Sequence, residues 1–111
     1  MVAKLDPNIL ELHARVCKTM AHPLRLALLN ALREGGRSVT DLAEAVGTTQ
    51  PLASQHLAVL RNQGLLHTQR NGNEVYYSIA YPKMIQAFDL LREVLFEHLC
   101  SQEELSRRAA G

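Results

Sequence analysis

The chain has 111 residues, with 12 lysines and arginines against 11 aspartates and glutamates, which gives a formal net charge of +1. This length is typical of one domain, and the balanced charge argues against a generally basic nucleic-acid coat protein, so any DNA affinity must come from local patterning. No apolar stretch of about 18 residues and no signal segment is visible, so we expect a soluble cytoplasmic protein without a membrane partner. In that compartment thiols are kept reduced, so two cysteines are weak evidence for a structural disulfide.

The first third of the chain is predicted to form two helices. Apolar residues recur at helical spacing from Pro7 to Met20, with Asp6 as N-cap, and residues 1–6 are expected to be flexible. Pro23 interrupts this pattern and can begin a second helix, because proline is tolerated in a first turn but not in a helix interior. The second helix is apolar almost all round, so we expect it at the buried centre of the domain.

The next two predicted helices form a helix-turn-helix. Residues 38–46 are predicted to form a short helix with Thr40 as its N-cap, and Gly47 follows its end. A second helix is expected from Thr49, its N-cap, to about Gln63. Two helices joined by three or four residues that include a glycine are typical of this motif.

The second helix of that motif has one polar face without a carboxylate. Its apolar residues lie mostly on the other face and are Leu52, Ala53, Leu57, Leu60 and Leu65. The polar residues are Gln50, Ser54, Gln55, His56 and Asn62. Amide, hydroxyl and imidazole groups can donate to and accept from base edges and phosphates, so this face suits the major groove of DNA. For an isolated polar face, a merely solvated helix is the alternative.

A β-hairpin is predicted after the helix-turn-helix. Two strands of period two flank Asn71-Gly72, a strong hairpin signal, because a type I′ turn needs positive φ at both positions. Such a hairpin beside a recognition helix is a wing, and no acidic residue lies between Glu44 and Glu74. The candidate DNA-contacting residues are therefore Thr49, Gln50, Ser54, Gln55, His56, Arg61, Arg70, Asn71 and Asn73.

The last predicted helix follows Pro82 and carries apolar residues at alternating spacings of four and three, which is the pattern of a helix that pairs with a helix. We therefore expect a symmetric homodimer through the first and last helices, with a helix that folds back on its own domain as the alternative. The expected interface residues are Ile9, Leu12, Val16, Met84, Phe88, Leu91, Leu95 and His98. Residues 7–100 would form the winged domain, and residues 101–111 a flexible tail.

With these elements placed, the chain resembles the ArsR/SmtB family of bacterial winged-helix repressors over about residues 9–99. The matching motifs, in the family's order, are Met20-Ala21-His22-Pro23-Leu24-Arg25-Leu26, Leu42-Ala43, Val46-Gly47, Gln50, Ser54, Gln55, His56-Leu57, Leu60-Arg61, Gly64-Leu65, Arg70, Gly72 and Val75-Tyr76-Tyr77. The resemblance implies a mainly α fold, a winged helix-turn-helix with five helices and a two-stranded wing per subunit. It also implies a homodimer that binds a palindromic operator and blocks transcription until an inducer releases it, with base-reading positions at Gln50, Ser54, Gln55 and His56.

The resemblance does not by itself identify the inducer, because members of the family respond to different ones. The family's usual metal sites need ligands that this chain lacks, whereas its thiol-sensing branch, which responds to persulfide or oxidant, uses a cysteine pair. Here the two thiols are Cys17 on the first helix and Cys100 on the last, although the branch usually has its other cysteine on the second helix, where this chain has Asn30. We therefore expect thiol redox sensing at Cys17 and Cys100.

Two other classes of function are left as alternatives. A metal ion or metalloid could act as inducer at His13, Cys17, His98 and Cys100, since zinc and arsenic accept nitrogen and sulfur ligands. A winged-helix protein-interaction module without DNA binding is the second alternative. An enzyme is not expected, because no nucleophile with a base, no glycine-rich phosphate loop and no paired carboxylates are visible.

Overall fold

The computed structural model describes residues 5–110. In chain order the elements are α1 (Pro7–Met20), α2 (Pro23–Ala31), β1 (Arg37–Ser38), α3 (Val39–Val46), α4 (Gln50–Asn62), β2 (Leu66–Asn71), β3 (Glu74–Ile79) and α5 (Lys83–Ala110). They fall into two units, with α5 in the second and all other elements in the first. The predicted mainly helical fold with a hairpin is confirmed.

Side-chain caps begin four of these helices. The Asp6 carboxylate accepts from the Asn8 amide at 2.9 Å, and the Thr49 hydroxyl accepts from the Leu52 amide at 3.3 Å, so both predicted caps are confirmed. For α3 the predicted cap, Thr40, is wrong, since the Ser38 hydroxyl accepts from the Asp41 amide at 3.2 Å. The physical reason is that β1 runs directly into α3, so Ser38 is the last extended residue before the helix.

The core of the first unit forms where α2, α3 and α4 meet. Its largest fully buried side chains are Leu28, Leu29, Leu32, Leu42, Leu57 and Leu60. The prediction that the second helix lies at the centre is therefore confirmed. Leu52 was grouped with the apolar face of α4, but 39% of it is exposed, because it lies about 100° around the helix from the fully buried Ala53.

The wing belongs to a sheet of three strands rather than two. The antiparallel order is β1-β3-β2, and β1 pairs Arg37 with Tyr77 and Ser38 with Tyr76. A strand of two residues is too short to show an alternating pattern, so β1 could not be predicted. Its pairing ties the start of α3 to the wing strand β3.

The turn of the wing lies one residue later than predicted. The strand register pairs Asn71 with Glu74, which puts Gly72 and Asn73 at the centre of the turn. Gly72 has a φ of +66°, and no other residue type within residues 5–110 has positive φ. Glycine at the first central position with negative φ at the second is typical of a type II′ turn, not of the predicted type I′.

Helix α5 spans 28 residues and has no buried residue in the single chain. It continues through residues 101–110, where the sequence predicted a flexible tail. Glu104 forms ion pairs with Arg107 and Arg108, three and four residues later, which is the spacing that supports an exposed helix. Of the predicted flexible N-terminus, residues 1–4 lie outside the described residues.

Candidate nucleic-acid interface

Helices α3 and α4 and the tight turn between them form the predicted helix-turn-helix. Gly47 adopts the left-handed conformation, with φ of +72°, and the Thr48 amide then donates to the Ala43 carbonyl at 2.9 Å. This arrangement satisfies carbonyls at the end of α3 and reverses the chain before Thr49 caps α4. The buried Leu42 and Leu57 pack in the core below, so the first turn of α4 is held at the surface.

The predicted DNA-contacting side chains of α4 and its cap are exposed, with one exception. Thr49, Gln50, Ser54, Gln55 and Arg61 are exposed. On the hairpin, the side chains of Arg70, Asn71 and Asn73 are exposed as well. The exception is His56, which is half-buried.

A groove of about 240 Å³ joins the recognition helix to the wing. It is lined by Ser38, Val39, Thr40, Gln50, Ser54, Asn73, Glu74 and Val75. The structure therefore brings three of the predicted DNA-contacting residues together, Gln50 and Ser54 from α4 and Asn73 from the wing. Gln55, His56 and Arg61 do not line this groove.

Glu74 adds an acidic residue to the lining of the groove, although in the sequence it marked only the end of an acid-free stretch. The Tyr76 hydroxyl donates to the Glu74 carboxylate at 3.1 Å, and this hydrogen bond raises the pKa of Tyr76. A carboxylate can accept from a cytosine amino group but repels phosphate. The groove thus offers hydroxyl and amide groups beside one fixed anionic acceptor.

His56 lies at the junction of α2 and α4. Its Nδ1 accepts a hydrogen bond from Arg25 Nε at 3.1 Å, and its ring centroid lies 4.4 Å from that of His22. Burial, then the positive charge of His22 and Arg25, lower the pKa of His56 from its ordinary value of 6.5. His56 is half-buried because it is three residues after Ala53 and four before Leu60, at the edge of the buried face.

Three comparisons place this geometry among known proteins. The family model described as bacterial regulatory protein, arsR family, matches residues 22–68. The biofilm growth-associated repressor of Xylella fastidiosa is 38% identical over 91 residues, which are 82% of this chain and 76% of that repressor. The crystal structure of Rv0081 from Mycobacterium tuberculosis has a TM-score of 0.76 at 37% identity and covers 88% of this chain and 98% of that one. The homodimeric winged helix-turn-helix domain Mb0332 of Mycobacterium bovis, a possible ArsR-family regulator, has a TM-score of 0.74 at 36% identity, covering 89% and 94%.

The chain belongs to the ArsR family. It is a DNA-binding transcriptional regulator, and its winged helix-turn-helix fold is that of its structural neighbours. Within residues 5–110, no helix is both long and apolar enough to span a membrane.

Two residues of this ArsR-family domain near α4 were missed as site residues, although both stand in the motif that carried the resemblance. His22 begins α2, where its Nδ1 accepts from the Leu24 amide at 3.2 Å. Arg25 donates through Nη1 to the Thr19 carbonyl at 2.8 Å in addition to its bond with His56. The available signal was an arginine inside an otherwise apolar helix, because such a side chain is seldom placed there without a partner.

The two cysteines predicted to sense the inducer are accessible. Cys17 and Cys100 are both exposed free thiols. Across the described part of the chain, no three His, Cys, Asp or Glu side chains converge as a metal would require.

Proposed function

We propose that this ArsR-family protein is a homodimeric repressor that binds a palindromic operator and is released by an inducer. The observation that carries the DNA-binding step is the position of the first two turns of α4. Its polar residues Gln50, Ser54 and Gln55 are exposed, and the wing residue Asn73 lines the same groove as Gln50 and Ser54. The N-terminal residues of a recognition helix are those that contact base edges in this class of fold.

The exposed apolar side chains of α1 and α5 support the dimer. Ile9 and Leu12 on α1 are 53% and 48% exposed, and Leu91 and Leu95 on α5 are 54% and 50% exposed in the single chain. Several large apolar side chains exposed along one helix mark an interface, and each of these two helices carries such a set. A second copy is the proposed occupant, as in the homodimeric M. bovis neighbour. Met84 and Phe88 are half-buried and belong to the same proposed surface.

A two-fold dimer explains why the operator would be palindromic. Each subunit presents one copy of α4, and two copies related by a two-fold axis recognise two inverted half-sites about 34 Å apart, one helical turn of DNA. The wing of each subunit, with Arg70 exposed on β2, would reach the adjacent phosphates. Although each chain is nearly neutral, the dimer would then make its DNA contacts at four elements, two recognition helices and two wings.

The test of DNA recognition uses Gln55→Ala against a matched control, Gln102→Ala on α5, since both glutamines are exposed. Anisotropy would measure the affinity of each variant for an operator selected from random sequence and for unselected DNA. We expect Gln55→Ala to weaken operator binding more than unselected binding, and Gln102→Ala to change neither. Equal losses on both DNAs, or equal effects of the two variants, would contradict the assignment.

For the release step we propose oxidation of Cys17 and Cys100. Their exposure supports this, because an oxidant or persulfide can reach both thiols. With diamide, two thiols would lose two protons and two electrons to the reagent and form one disulfide. We expect diamide to abolish operator binding by the unchanged protein and to leave Cys17→Ser and Cys100→Ser bound. Release of both variants by diamide would exclude these thiols as the sensor.

A further inference from the structure

The hydrogen bond between Arg25 and His56 fixes where the proton of the imidazole lies. Every polar hydrogen-bonding group of a guanidinium is a donor, so Arg25 Nε must donate across the 3.1 Å to His56 Nδ1. Nδ1 therefore holds a free electron pair. In the neutral ring the proton must then be on Nε2, which is on the opposite side of the imidazole from Arg25.

Arg25 is itself held in place. Its Nη1 donates to the carbonyl of Thr19 at 2.8 Å, and Thr19, which is only 9% exposed, lies at the end of α1. The second neighbour of the ring is His22, at 4.4 Å and an angle of 47° between the ring planes. The His56 ring is thus fixed at one nitrogen by α2 and along one face by the residue that caps α2.

Nε2–H of His56 is the remaining donor of the ring, on a helix whose neighbouring residues Gln55 and Leu52 are exposed. We propose that Arg25 is a positioning residue for DNA recognition, which holds the His56 ring so that its Nε2–H is presented as a donor to an acceptor atom of DNA. The proposal rests on the proposed function and deepens it. Arg25 itself would not contact DNA. The acceptor is a purine N7 or O6 on a base edge or a phosphate oxygen.

Two substitutions, His56→Asn and His56→Gln, test the roles of the two ring nitrogens of His56 separately. An asparagine oxygen can replace Nδ1 as acceptor for Arg25 but supplies no donor at the Nε2 position. A glutamine amide reaches the Nε2 position but leaves Arg25 without its acceptor. We expect His56→Asn to keep the fold, measured by thermal unfolding, and to weaken DNA binding roughly threefold to tenfold, the loss of one hydrogen bond. His56→Asn with unchanged affinity would overturn the proposal.

Arg25→Met tests the positioning directly. It should weaken DNA binding in the unchanged background and have no further effect in the His56→Asn background, because it acts through Nε2–H. Equal losses in both backgrounds would show a merely structural role and overturn the proposal. Arg33→Met, which removes a positive charge near the other end of α2, is the matched control for charge and should leave affinity unchanged to within about twofold at a salt concentration of about 0.15 M, where distant charges are screened.

A spectroscopic readout of the unchanged protein tests the tautomer of His56 directly. Long-range proton–nitrogen correlations of the unchanged protein should show His56 as the Nε2–H tautomer alone, and Arg25→Met should add an Nδ1–H population. An Nδ1–H ring in the unchanged protein would overturn the proposal. Loss of affinity confined to the operator would identify a base edge as the acceptor, and equal loss on unselected DNA a phosphate. If the unchanged protein binds no DNA, the proposed function and this inference both fail. Binding with an unaffected His56→Asn variant would overturn the inference alone.

Discussion

The rings of His22 and His56 lie 4.4 Å apart, one before the start of α2 and the other on the recognition helix α4. Arg25 closes the cluster, so three groups that can carry positive charge meet at one junction of the first unit. A second proton on His56 would occupy Nδ1, break the bond from Arg25 and add a like charge. The cluster therefore opposes protonation of His56, which lowers its pKa.

The first prediction is an acid-dependent loss of stability that His56 causes. Since the folded state lowers the pKa of His56 from 6.5, the unfolded chain binds the proton more readily as the pH falls. The free energy of unfolding should therefore decline as the pH drops below about 6.5 and stop declining from this cause below the folded-state pKa. Urea unfolding between neutral and mildly acidic pH would measure the slope.

The control for this prediction is a second histidine. His56→Gln should flatten the decline, whereas His67→Gln, on the exposed side of β2, should keep the pH dependence of the unchanged protein. Identical slopes for the unchanged protein and His56→Gln would contradict the role given to the cluster.

A second prediction separates the actual cap of α3 from the predicted one. Ser38→Ala removes the acceptor of the Asp41 amide, and because Ser38 is 3% exposed, water cannot replace it. We expect a loss of about 1 kcal/mol or more in the free energy of unfolding. Thr40→Ala, at an exposed site two residues after the cap, should cost less than half of that. The reverse order in urea unfolding would restore Thr40 as the cap.

The wing turn gives a third prediction. Gly72 has a φ of +66°, and a Cβ there would meet nothing within 4 Å, so the cost of Gly72→Ala is conformational rather than steric. We expect a loss of about 1 kcal/mol in the free energy of unfolding, and a smaller loss for Gly72→Asn, because asparagine adopts positive φ more readily than alanine does. Equal free energies of unfolding for the unchanged protein, Gly72→Ala and Gly72→Asn would contradict the positive φ assigned to Gly72 in the wing turn.

A fourth prediction compares two leucines of α4. Leu57 is fully buried, so Leu57→Ala should reduce the free energy of unfolding by about 2–5 kcal/mol. Leu52 is 39% exposed on the first turn, so Leu52→Ala should cost much less stability. If thermal unfolding shows equal losses, Leu52 is buried in solution and the exposed surface of α4 is smaller than described.

Local signals in the sequence were enough for most of the fold. Asp6, Pro23 and Thr49 mark helix starts by chemistry that acts within one turn, and the structure confirms each of them. The errors arose where a distant partner decides the outcome. Ser38 caps α3 because β1 pairs with β3, and the turn centres on Gly72 and Asn73 because the strand register requires it.

In the candidate site, too, local patterns predicted some features, whereas others depend on distant partners. The exposure of Gln50, Ser54 and Gln55 follows from helical period and could be predicted. The contact of His56 with Arg25 joins residues 31 positions apart, and no local pattern indicates it. Glu74 lines the groove only because the wing folds against α3 and α4.

The central claim is that this ArsR-family protein binds its operator through α4 and the wing. The most direct test is anisotropy of the reduced protein on the DNA upstream of its own gene, at several salt concentrations and against unrelated DNA. The account predicts tight, preferential binding to the upstream DNA whose affinity falls steeply with salt, as the release of counterions from several phosphates requires. Binding that is absent, or equal on both DNAs and indifferent to salt, would contradict it and favour a protein-interaction module.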